Sequence, residues 1–279
     1  MQDKDCWGGM GEKGMDVGFR FRVVAVLSVF IGGVWLNSCS TVSVSKGNWS
    51  NSGRHVGKKY DTKSWQRGSD RHDVVHTVAP GETVWRLAKM YDVKERDILR
   101  ANALKESSSL YLGQKLRIPH AAEPKAIIPL YPSKKWKYII IHHTATDAGN
   151  SLIFNRAHLR RGFDRGIGYH FVIDNGSCGK GDGMIEVTPR WLKQQDGAHC
   201  KANDMNRQAI GIALVGNFDK DKVSQKQMEA LVELVNLLRK YYHIPLSRIM
   251  GHGQVPGAAT DCPGKRFPWK EFIQRLSSL

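Results

Sequence analysis

Two histidines and a cysteine are the side chains in this sequence best suited to chemistry. His142 lies in IIIHHTAT (139–146), His252 in MGHGQVPG, and Cys262 in TDCPGKRF, ten residues after His252. Glycine and proline around the last two mark an irregular loop, where side chains from one segment can converge on a point. Two imidazoles and a thiolate are suitable Zn²⁺ ligands, and three protein ligands leave one position open for water. Spacing alone leaves a second reading open, in which a histidine at a strand end is a structural residue with hydrogen-bond partners. His143 sharpens the question. Successive side chains on a strand point to opposite faces, so His142 and His143 cannot act as one unit.

The surrounding elements must position these groups. WKYIIIHH, from Trp136, is a nearly continuous apolar run suited to a strand buried on both faces. SLIFNRAHLRR reads as a helix, and GYHFVID, MIEV and AIGIALVG read as further strands. Ser224 and Gln227 form a capping box. The helix behind them carries Met228, Leu231, Val232, Val235, Leu238 and Tyr242 on one face. A last helix starts near Pro268, with Phe272, Ile273 and Leu276 inward. Strands alternating with helices predict an α/β fold, a mixed central sheet flanked by helices.

Residues 75–119 form a separate pattern: strand VHTV, a Pro80-Gly81 turn, a helix capped by Thr83, a second helix near Lys94 to Ala101, and a closing strand KLRIP ended by Pro119. This is a small βααβ module. Residues 120–134, with Pro124, Pro129 and Pro132, read as a linker.

The formal charge of +16 is spread along the chain rather than gathered in a block. That suits attraction to an extended anionic surface better than a basic nucleic-acid tail. No nucleic-acid motif accompanies it. Near the start, VVAVLSVFIGGVWL (23–36) follows Arg20 and Arg22. It is too short for a spanning helix of about 20 residues but fits a signal-peptide core. Leu36-Asn37-Ser38-Cys39 resembles a bacterial lipobox, which makes 1–38 a signal peptide and Cys39 a lipidated, membrane-anchoring residue. Ser40, rather than Asp, points to the outer membrane, with the protein exported and facing the periplasm. Residues 39–74 are polar and read as a flexible tether. With Cys39 lipidated, Cys178, Cys200 and Cys262 remain. Metal ligation by Cys262 absorbs the odd one, and Cys178 and Cys200 then either form a disulfide or stay as two thiols.

Two resemblances extend this reading. V-x-P-G-E-T-V-W-x-L-A, N-x-L and L-G-Q-K-L-x-I-P in 75–119 resemble a LysM domain. That implies binding of N-acetylglucosamine-containing glycan through loops near Gly81 to Val84 and Ala103 to Leu110. IIIHHTAT, RGFDRGIGYHFVID, DGAHCKANDMNRQAIGIALVGNF and GH…TDCPG, within 135–279, resemble the zinc N-acetylmuramoyl-L-alanine amidases shared by peptidoglycan recognition proteins and phage amidase lysozymes. This resemblance implies one Zn²⁺ on His142, His252 and Cys262, with His143 as a support residue on the opposite face. It further implies Tyr169 as a catalytic tyrosine, Thr260 at a catalytic position that is lysine in phage members, and His199 and Asn217 as substrate-binding residues. The implied reaction is hydrolysis of the bond between N-acetylmuramic acid and L-alanine by zinc-activated water. The implied partners are peptidoglycan and a membrane reached through the lipid anchor, for a monomer without nucleic acid. A non-catalytic peptidoglycan-binding protein and a zinc peptidase of the stem peptide are the alternatives. The glycine-rich stretch Ser177 to Gly183 has no counterpart in these patterns.

Overall fold

Alternation in the sequence AIGIAL decides how the larger half is built. In this computed structural model, which describes residues 71–106 and 108–279, Ala209–Leu214 forms strand β6 in the middle of a five-stranded sheet. The other strands are β3 (Tyr138–His143), β4 (Phe171–Asn175), β5 (Asp182–Val187) and β7 (Ile249–Gly251), in the order β5-β4-β6-β3-β7. β3 runs parallel to β6 and β7, and β4 runs parallel to β6, while β5 is antiparallel. Ile210, Ile212 and Leu214 point to one face, where they join Ile139, Ile141, Phe171 and Ile173 in the main core. Ala209, Gly211 and Ala213 must then occupy the other face. One face is bulky and the other is nearly flat.

The bulky face is covered by two helices, α6 (Gln225–Tyr242) and α7 (Trp269–Ser277). Met228, Leu231, Val235 and Leu238 of α6 and Phe272 and Leu276 of α7 are buried in that core. Burying each such side chain contributes about 1.5–3 kcal/mol. The expected capping box is present: Ser224 Oγ accepts from Gln227 N–H, and the Gln227 side chain accepts from Ser224 N–H. Gln227 also donates to the carbonyls of Val215 and Ile173, so it ties α6 to the ends of β4 and β6. The remaining helices of this half are α3 (Ser151–Arg160) and the one-turn helices α4 (Pro189–Leu192) and α5 (Met205–Gln208). β7, α4 and α5 have no counterpart in the sequence pattern, because three or four residues are too few to display a period.

The small module has the expected order β1 (His72–Thr77), α1 (Val84–Met90), α2 (Glu95–Ala101), β2 (Lys115–Ala121). Thr83 caps α1 by accepting from Arg86 N–H, and Leu87, Ile98, Leu116 and Ile118 form its core. Pro119 does not end β2. The strand continues to Ala121, because pairing with β1 shifts register between His72 and Val74 and absorbs the missing donor. The 120–134 segment is pinned rather than loose. Trp191 Nε1 donates to Pro129 O at 2.8 Å, and Tyr242 Oη donates to Tyr131 O at 2.9 Å.

The signal peptide, lipobox with Cys39 and most of the tether expected from the sequence lie outside the described residues. Among the described residues no helix is long and apolar enough to cross a membrane.

Gln227→Leu should keep the shape of this buried side chain while orphaning the Val215 and Ile173 carbonyls. We expect a loss of about 1–3 kcal/mol in urea unfolding, with the fold intact by circular dichroism. An unchanged midpoint would remove Gln227 as a tie between helix and sheet.

Candidate metal centre

The flat face of β6 is where chemistry can fit. His142 pairs in register with Ala213, and Ile140 with Gly211, so His142 rises over the small residues. A Cβ at Gly211 would lie 2.4 Å from His199 Cδ2, so only glycine leaves room for the His199 ring there. His142 is the last but one residue of β3, and His252 follows β7 directly, so both stand at the carboxyl ends of adjacent parallel strands. That edge is the usual ligand position in open α/β sheets. Cys262 is brought in by its loop. Gly253 N–H donates to Cys262 O at 2.7 Å, and a Cβ on Gly253 would lie 2.3 Å from Thr260 O. The glycine beside His252 therefore permits the Cys262 loop to lie against it.

One donor atom from each of His142, His252 and Cys262 lies within 4.8 Å of the others. His142 Nδ1 is 3.6 Å from Cys262 Sγ. Zn–N of about 2.0 Å and Zn–S of about 2.3 Å at a tetrahedral angle would place such a pair about 3.6 Å apart. The donor set fits the ion in chemistry as well. Burial holds the His142 imidazole well below its usual value, and burial lowers His252 too, so both are neutral at pH 7. Burial pushes the Cys262 thiol up to about 12. A divalent cation on the sulfur would outweigh that cost, since a coordinating thiol is deprotonated outright. The His143 N–H donates to Cys262 Sγ at 3.4 Å and favours the thiolate further.

The tautomers follow from a chain of contacts. His199 Nε2 lies 3.3 Å from Ala209 O, which can only accept, so Nε2 carries the proton. Burial keeps His199 neutral, which leaves its Nδ1 bare. His142 Nε2, 3.1 Å away, must donate to it. The lone pair of His142 Nδ1 is thereby left facing Cys262.

The other residues singled out in the sequence take these positions. His199 borders a cavity of about 720 Å³, lined also by Arg161, Phe163, Lys201, Asn206 and His252, but both its ring nitrogens are engaged within the protein. It supports His142 from the cavity wall. Asn217 Oδ1 accepts from Asp219 N–H and closes a turn, and Asn217 does not line the cavity. Thr260 Oγ1 accepts from Cys262 N–H at 3.2 Å, so it shapes the ligand loop. The Cys178–Cys200 disulfide is absent. Cys200 is a buried free thiol packed near Ile140, Met205 and Val255. Cys178 sits in the turn after β4, where its carbonyl accepts from Asn150 Nδ2.

Tyr169 is half-buried, its ring centroid 5.2 Å from that of His142. Burial holds its hydroxyl well above the usual tyrosine value, so it remains an O–H donor. The opposite-face expectation separates the paired residues physically. His143 Nδ1 accepts from Phe218 N–H at 3.2 Å on the core side. His170 Nδ1 accepts from Gly211 N–H at 2.9 Å, and Nε2 donates to Gln195 O. His158 carries no signal in the sequence. Its Nδ1 accepts from Gly168 N–H at 2.9 Å and its ring packs near Tyr169, yet within a helix it looks like any polar residue of the last turn.

Burial lowers His158 to about 4 and His170 to about 3. The unfolded chain therefore takes up these protons first as pH falls. Their contribution is full above about 6.5 and is lost progressively below it, down to about 4 and 3. At pH 5 this amounts to about 2 kcal/mol for each imidazole, at 1.36 kcal/mol per pKa unit. Urea unfolding at pH 7 and pH 5 should show the loss, and His170→Gln should diminish it. A midpoint that does not move between the two pH values would contradict these neutral, N–H-accepting imidazoles.

Comparison with known proteins adds a second line of observation. A family model for N-acetylmuramoyl-L-alanine amidase matches residues 132–265, and a LysM domain model matches residues 76–119. The peptidoglycan recognition protein of Trichoplusia ni is 30% identical over 158 residues, which cover 51% of this chain and 80% of that protein. Peptidoglycan-recognition protein 2 of Holotrichia diomphalia is 35% identical over 108 residues, 36% of this chain and about half (52%) of the relative's length. Among solved structures, the N-acetylmuramoyl-L-alanine amidase LysC from Clostridium intestinale URNW aligns at 30% identity and a TM-score of 0.43, covering 55% of this chain and 94% of that one.

Proposed function

Since the chain belongs to the N-acetylmuramoyl-L-alanine amidase family that includes the peptidoglycan recognition proteins, with a LysM domain ahead of the amidase half, we propose that it is a zinc-dependent peptidoglycan hydrolase. The bond cleaved is the amide between N-acetylmuramic acid and L-alanine. The observation that carries this reading is the convergence of His142, His252 and Cys262, with the His142 tautomer set by His199 and Ala209. A zinc ion held by these three residues would supply Lewis acidity and lower the pKa of a bound water to about 7.

The protein's own groups do the rest. The chain from His142 through His199 ends on a carbonyl, so it orients the imidazole and cannot relay a proton onward. The Tyr169 hydroxyl stays protonated and stands beside His142, where it can donate to the oxyanion that develops as the amide is attacked. Arg161 and Lys201 at the cavity wall offer positive charge to the carboxylates of a stem peptide. The LysM module would hold glycan, and acylation at Cys39 would keep the protein at a membrane, on the periplasmic side of the outer membrane.

A binding protein without activity is the competing reading, since the relatives include proteins named for recognition. It predicts a different outcome in a digest. Purified peptidoglycan is incubated with the protein, with chelator and with Zn²⁺ restored, and products are read by mass spectrometry. We expect peptides beginning at L-alanine, lost with chelator and regained with zinc. Co-sedimentation without product would establish the binding reading, and cleavage between stem amino acids would establish a peptidase. In the same assay Cys262→Ser should lose zinc and activity together. Tyr169→Phe should retain zinc and lose about 10²-fold in kcat, the usual cost of one oxyanion donor. An unchanged rate would take Tyr169 out of the mechanism.

A further inference from the structure

Thr188 stands where helix α4 (Pro189–Leu192) should be capped. A threonine at this place normally accepts from an N–H of the first turn. The Thr188 side chain makes no such bond. Its hydroxyl donates instead to the Tyr169 carbonyl at 2.7 Å, and the residue is 1% exposed. The same turn of chain holds two further carbonyls of that segment. Thr188 N–H donates to His170 O at 3.1 Å, and Arg190 Nε donates to Ile167 O at 2.6 Å. On either side of Tyr169 other elements help: Gly168 N–H donates to His158, and Gly211 N–H donates to His170. At the Tyr169 carbonyl the grip is the Thr188 hydroxyl.

Four residues cannot stay helical unaided, so α4 must be held from outside. Trp191 anchors one side, buried against Phe171 and Trp136 with its Nε1 bonded to Pro129 O. The LysM module meets the other. A Cβ at Gly81 would lie 2.7 Å from Leu192 Cδ1 and 3.6 Å from Pro189 Cγ. Gly81 also has φ +86°, so glycine serves both the turn and the close approach. The turn is stiff. Glu82 Oε2 accepts from Ala79 N–H at 2.7 Å and meets His76 Nε2 at 2.7 Å, while His76 Nδ1 meets Tyr91 Oη at 2.8 Å. The module behind it is tied down as well. Lys125 N–H donates to Met90 O, Arg86 Nη2 donates to Ile127 O, and Met184 of β5 packs on the LysM core. The gap bounded by Pro80, Glu82 and Val187 is about 10 Å³, at the lower limit for one water. The Gly81 turn, expected to touch glycan, is thus packed on α4.

We infer that Thr188 is a positioning residue for Tyr169, and that the LysM module, through its Gly81 turn, braces α4 and so contributes to turnover in the catalytic half itself. The inference rests on the peptidoglycan-hydrolase reading. A brace is distinct from carriage to the wall, because it acts even on a substrate too short to reach the module. Thr188 touches no substrate.

The test uses the full chain and a muropeptide with a single sugar. Thr188→Val removes the hydroxyl and keeps the shape, and Gly81→Val drives the turn off Leu192. Both variants should keep one zinc per chain and a KM within about twofold of wild type, while kcat falls about tenfold. Thr188→Ser should restore kcat. In the Tyr169→Phe background neither substitution should lower kcat further, since groups that act through one residue are not additive. An equal loss in both backgrounds would mark a general structural role and overturn the inference, and so would an unchanged kcat in either single variant. If either variant misfolds by circular dichroism, Leu192→Ala takes its place. If the wild type cuts nothing, the hydrolase reading fails, and hydrogen exchange over residues 167–171 decides the brace. Faster exchange in the variants supports it, and unchanged exchange overturns it.

Discussion

The donor chain Ala209 O, His199, His142 is the constraint on which the centre depends. A carbonyl fixes one proton, that proton fixes a tautomer, and the tautomer decides which His142 nitrogen is free for a metal. None of it could exist on a face filled with isoleucine. The alternation of β6 reserves small residues for this face and sends large ones to the core under α6 and α7. The same strand therefore supplies both the stability and the space for the ring of His199.

Support residues crowd around the centre with their nitrogens already committed. His143, His158 and His170 each accept a backbone N–H, from Phe218, Gly168 and Gly211. They hold the strands and the Tyr169 segment in place and stay neutral. The half-buried His252 and the cavity beside it leave one side of the centre open. Rigid walls beside an open cavity suit a site that admits a ligand and still excludes most water from the buried donors.

Much of this was legible in the sequence. The strand run IIIHH gave β3 and its two faces, Ser224 with Gln227 gave the start of α6, and Thr83 gave the start of α1. These features rest on local periodicity and capping, which a sequence displays directly. Contacts between distant segments were not legible. The bracing of His142 by His199 was hidden, because nothing local reveals that Gly211, twelve residues on, makes room for its ring. Cys178 and Cys200 looked like a pair because counting thiols ignores where they sit. The Ser177 to Gly183 stretch carried no motif, since the burial of Lys180 against Glu186 leaves no period in the sequence.

The most direct test of the central claim is X-ray absorption at the zinc edge on protein loaded with one equivalent of Zn²⁺. The account predicts a first shell with one sulfur at about 2.3 Å and imidazole nitrogens at about 2.0–2.1 Å, with the sulfur lost in Cys262→Ser. A shell of oxygens alone, or a sulfur that persists in the variant, would contradict it.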